Sequence, residues 1–76
     1  MEELVRKINA NYIALANLEK IKKQNHMSDD NDAYLTSKNN ILEVLNEHLK
    51  EYEKLTGTEF ELSTEIKKVL EDYEKL

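Results

Sequence analysis

The sequence contains no cysteine, no proline and no tryptophan, and a single glycine. Without cysteine there is no disulfide framework, no thiolate metal site and no cysteine nucleophile. With proline and glycine so scarce, a turn-rich β architecture is excluded. No apolar run approaches the roughly 20 residues that span a bilayer, and no signal-peptide pattern is visible, so the chain reads as cytoplasmic. What the 76 residues do contain is 39% hydrophobic and 36% charged side chains. That mixture fits one small all-α domain, whose own core is marginal because a chain this short buries only about 60% of its unfolded surface.

The net charge of −5 is carried by one half of the chain. Residues 1–42 hold six acidic and six basic side chains, whereas residues 43–76 hold ten and five. The acidic excess argues against direct binding to nucleic acid, which needs a concentrated basic face. It suits a protein partner with a basic or nucleic-acid-binding surface.

Helical periodicity organises the whole chain. A first helix over about 2–24 places Leu4, Val5, Ile8, Tyr12, Leu15 and Leu18 on one arc, with Glu2 and Glu3 at its start and Lys20, Lys22 and Lys23 at its end, as the helix dipole favours. Ser28 is the expected N-cap of a second helix over about 29–56, opened by Asp29, Asp30 and Asp32. Its apolar arc includes Tyr34, Leu35, Ile41, Leu42, Leu45, Leu49 and Tyr52. Gly57 follows as a left-handed helix terminator. A third helix over about 59–76, starting at Glu59 or at Thr64, carries a narrow stripe of Leu62, Ile66, Val69, Leu70, Tyr73 and Leu76; Thr58 with Glu61 has capping-box spacing, and Ser63 is a second available cap. The architecture expected is a three-helix bundle: a long antiparallel hairpin with a shorter C-terminal helix on its open end.

Lengths then suggest where a partner binds. A third helix starting beside the first helix's N-terminus covers only about half of the hairpin, leaving the tip around 13–35 bare. There the first helix is apolar nearly all round, from Ala10 to Ile21, which calls for more than one neighbour. The expected partner-binding residues are therefore Tyr12, Ile13, Leu18, Ile21 and Tyr34, together with the acidic Glu65, Glu71 and Asp72 of the third helix.

No arrangement of residues marks catalysis. His48 lies on the second helix's apolar arc beside Tyr52, with no serine at a helical spacing that would make a nucleophile, and reads as a boundary histidine. His26 falls in a loop. The acidic run 29–32 fails the calcium-loop pattern, since Leu35 and Ile41 stand where Gly and Glu are required. No catalytic residue, metal site or cofactor is expected. Of eight asparagines, Asn11 is the one placed to set the register of a buried helix contact.

The hairpin with a polar start to its second helix is similar to the small sporulation phosphatases that act on response regulators. In those a serine precedes a catalytic aspartate by four residues; here Ser37 precedes Ile41, and the activity does not carry over. Small helical antitoxins and phage-encoded inhibitors share the size and composition. The leading functional expectation is thus a non-enzymatic acidic protein that binds and inhibits or modulates a larger partner. The alternative is a homo-oligomeric scaffolding bundle, a homodimer in its simplest form.

Overall fold

In a computed structural model, which describes residues 1–74, the chain is an all-α three-helix bundle. The helices are α1 (Glu2–Gln24), α2 (Asp32–Thr56) and α3 (Thr64–Glu74). Residues 75 and 76, the end of the third helix as read from the sequence, lie outside the described residues.

Each helix end has a local cause. Asn25 closes α1, with its backbone N–H and its side-chain Nδ2 both donating to the Ile21 carbonyl at 3.0 and 2.9 Å. His26 then takes a left-handed conformation (φ 52), its N–H donates to Lys23 and that of Met27 donates back to Lys22. This paired 5→2 and 6→1 closure usually holds glycine at the left-handed position. Gly57 does hold it at the end of α2 (φ 73), donating to the Glu53 carbonyl at 2.7 Å.

One helix start differs from the sequence expectation, and another falls on the later of the two that the sequence offered. The cap of α2 is Asn31, not Ser28: its Oδ1 accepts the Tyr34 N–H at 3.0 Å, and the helix begins at Asp32 rather than at 29. The later cap swings Tyr34 into the core and frees Asp29 to pair with Lys22. Likewise α3 begins at Thr64, with Ser63 Oγ accepting the Ile66 N–H at 3.3 Å, so the capping-box spacing of Thr58 and Glu61 is not used. Residues 57–63 are not helical. Along them Phe60 and Leu62 are half-buried while Glu59 and Glu61 are exposed, the alternation of an extended strip lying on a surface.

The extended strip repositions α3. Its Phe60 lies against Tyr12 and Tyr52, part-way along the hairpin, before the helix begins. The last turn of α3 consequently stands level with the upper part of α1, where Lys20 Nζ lies 5.6 Å from the centre of the Tyr73 ring. The expectation of a bare tip and a covered base is therefore overturned on this side. At the hairpin's open end Met1 and Leu55 are 58% and 62% exposed.

Packing is centred on α1. Both α2 and α3 pack against it, while no Cα of α2 comes within 8 Å of one of α3 among the described residues. The result is an open assembly of 40 × 25 × 16 Å with a radius of gyration of 13.5 Å, against roughly 11 Å for a compact chain of this length. Among the described residues only Ile8, Tyr34 and Leu45 are buried, and the rest of the apolar arcs is half-buried or exposed. No described helix is long and apolar enough to cross a membrane.

Candidate functional site

Because α2 and α3 flank α1 without meeting, a strip of α1 between them lacks a covering helix. One end of that strip is closed by the extended segment. Phe60 stacks on Tyr12 of α1, with ring centres 6.4 Å apart, and meets Tyr52 of α2 edge-on at 5.2 Å. A shallow recess around it is lined by Leu49, Glu53 and Glu59.

Beyond Phe60 the strip opens into a groove of about 580 Å³ lined by Tyr12, Leu15, Ala16, Glu19 and Lys23 of α1 and by Leu70 and Tyr73 of α3. The α1 residues recur at helical spacing on one side. Ala16 leaves the middle of the floor low, and Leu15, Leu70 and the two tyrosine rings make it apolar. Glu19 and Lys23 add one carboxylate and one ammonium toward the tip.

The α2 side of the groove is held by a polar clamp. The Tyr34 hydroxyl donates to Glu19 Oε1, and Lys38 Nζ lies 3.9 Å from the same oxygen. The Tyr34 ring also receives two ammonium groups, Lys22 at 4.8 Å and Lys38 at 5.6 Å from its centre. Cations over an aromatic face are attracted by its quadrupole. Lys22 in turn donates to Asp29. That hydrogen bond, reinforced by the charge of each partner, holds the Asp29 carboxyl below the usual carboxylate range and raises Lys22 above the usual lysine value. The acidic run thus serves the turn between α1 and α2; among the described residues no group of histidine, aspartate and glutamate converges as metal ligands.

The residues expected to bind a partner divide into three groups. Tyr12 lines the groove and Leu18 is half-buried. Ile13 is half-buried on the side of α1 that Lys20 shares, toward α3, whereas Ile21 is 40% exposed. Tyr34 is 3% exposed and builds the tip from inside rather than presenting a surface. Glu65, Glu71 and Asp72 are exposed on α3, and Asp72 borders a small recess with Lys20 and Val69. His48 is half-buried.

Sequence reasoning missed Phe60, Ala16 and Leu70 as parts of one site. Phe60 carried a readable signal, the apolar–polar alternation of residues 59–62. Ala16 and Leu70 carried none, because their meeting depends on how far the extended strip shifts α3. Asn9 and Asn11 turn their side-chain oxygens inward, where each is shielded from solvent. The chain matches no protein-family model, no curated protein and no solved structure.

Proposed function

We propose that the protein is a small non-enzymatic binding module that receives one helix of a larger cytoplasmic protein and inhibits or modulates it. The observation carrying this reading is the groove over Tyr12, Leu15, Ala16 and Leu70, which occupies the place of a fourth helix in a bundle. Helix-in-groove recognition seats an apolar stripe at i, i+3/i+4 and i+7 of the incoming helix, and Tyr12, Leu15 and Ala16 give the groove an apolar floor for it, with Glu19 at its end. The exposed Glu65, Glu71 and Asp72 of α3 favour a partner that carries basic residues, through steering rather than raw affinity.

The test fills the groove. Ala16→Arg places a long cation on its floor while leaving the helix a strong former. Circular dichroism is expected to show an intact helical chain, and affinity capture from the native host is expected to lose the partner that the wild type retains. Retention of that partner by the folded variant sinks the groove as the binding site.

A further inference from the structure

We infer that α3 is a detachable wall of the groove: it undocks from α1 and unwinds while the α1–α2 hairpin stays folded, and only the docked form presents the groove. The three helices are joined unevenly. The hairpin holds the buried side chains Ile8, Tyr34 and Leu45, and its tip is tied by the Tyr34–Glu19 and Lys22–Asp29 hydrogen bonds. By contrast, α3 packs on α1 alone. On α3 Ile66, Leu70 and Tyr73 are only half-buried, and Val69 is 36% exposed. Among the described residues no hydrogen bond or ion pair ties α3 to another helix; the bonds at its start run from Ile66 and Lys67 to Ser63, within the segment itself. Its charged contact with α1 is the Lys20 ammonium over the Tyr73 ring. A segment with so few buried apolar contacts opens well below the free energy of global unfolding.

The opening has a defined limit and a defined product. Phe60 touches both Tyr12 of α1 and Tyr52 of α2. It therefore fastens the extended strip to the hairpin and leaves residues 61–63 as the hinge. Beyond the hinge α3 has 11 residues, and a helix shorter than about 12–15 residues is marginal in water without packing. Undocking and unwinding are thus one step, an order–disorder transition.

The groove depends on that step. Its floor belongs to α1, but Leu70 and Tyr73 of α3 form its other wall. Release of α3 removes this wall and leaves an open helix face. An occupant that touches both sides binds the docked form alone, so it draws α3 closed, and its apparent affinity is the intrinsic one scaled by the fraction of docked chains. This regulation rests on the groove being the partner's seat. The undocking does not, and measurements on the chain alone tell the two apart.

Native-state amide hydrogen exchange of the full chain, followed by NMR in increasing urea, tests the inference. Residues 67–74 are expected to be protected at least ~100-fold less than the residues around Leu45 in α2. Their exchange should respond weakly to urea, because undocking one short helix exposes little surface. Ala16→Leu supplies an apolar occupant from the groove floor itself. Covering about half of its added methylene-sized groups against Leu70 and Tyr73 is expected to slow exchange across residues 67–74 about 10-fold, with a smaller change around Leu45. Exchange of residues 67–74 with the same protection and urea slope as the Leu45 region overturns the undocking. Exchange that Ala16→Leu leaves unchanged or speeds up overturns the link between the groove and α3.

Discussion

Phe60→Ala is the substitution that most directly probes how this fold is held together. Truncating a fully buried phenylalanine costs about 3–5 kcal/mol, and the half-buried position of Phe60 scales that to about 1.5–2.5. Its stacked and edge-on contacts with Tyr12 and Tyr52 bring the expected loss to about 2–3 kcal/mol. A chain of 76 residues has about 4–11 kcal/mol in all, and so few buried side chains put this one toward the lower end. At about 4–8 °C per kcal/mol, the melting temperature should fall by about 10–20 °C in a circular dichroism melt. The loss should also be uneven, since Phe60 pins the strip that leads into α3, and α3 packs on α1 alone. Hydrogen exchange should therefore rise first across residues 64–74, ahead of α1 and α2. A drop of less than about 4 °C, with α3 protection unchanged, would refute the anchoring role assigned to Phe60.

Other substitutions test separate parts of the fold. Leu45, 4% exposed, should cost about 2–4 kcal/mol as Leu45→Ala, and the half-buried Leu49 about half of that, so equal losses in urea titrations would contradict the burial pattern. Gly57→Ala should cost about 1 kcal/mol from its left-handed backbone alone, because a Cβ there meets nothing within 4 Å. His26→Gly should stabilise by about 0.5–1 kcal/mol, the strain relieved less the entropy glycine adds to the unfolded chain, and a lower melting temperature would contradict this. For the Asp29–Lys22 pair, a depressed folded-state carboxyl contributes stability above the unfolded value and loses it as pH falls through the folded one. The raised Lys22 contributes below its unfolded value and loses it only in strong alkali. The gap in melting temperature between wild type and Asp29→Asn should therefore be constant near neutrality and close below about pH 4; a constant gap in acid would exclude the pair as its source.

The features legible in the sequence are those decided within a few residues. Both ends of α1, the Gly57 terminus of α2 and the central place of Leu45 follow from periodicity and capping chemistry. Where two local solutions compete, tertiary contacts choose. Ser28 and Asn31 are comparable caps, and Asn31 prevails because the helix it starts delivers Tyr34 to Glu19. The spacing of Thr58 and Glu61 suits a capping box, yet Phe60 gains more by lying across Tyr12 and Tyr52 than by opening a helix. That one exchange moves α3 along the hairpin and decides which surface stays open. A groove is thus a sum of long-range displacements, invisible to any window of sequence.

A core of so few buried residues ties stability to association. Anything that binds only the folded chain adds about 2.7 kcal/mol when present at 100 times its dissociation constant, a large share of what so thin a core supplies. Folding and binding are therefore coupled here, and self-association and partner docking couple differently. Self-association makes a melting temperature rise with the chain's own concentration. Docking in the groove makes it rise only with the partner's. A melt repeated across a wide range of protein concentration separates these contributions without knowledge of the partner, because self-association alone responds.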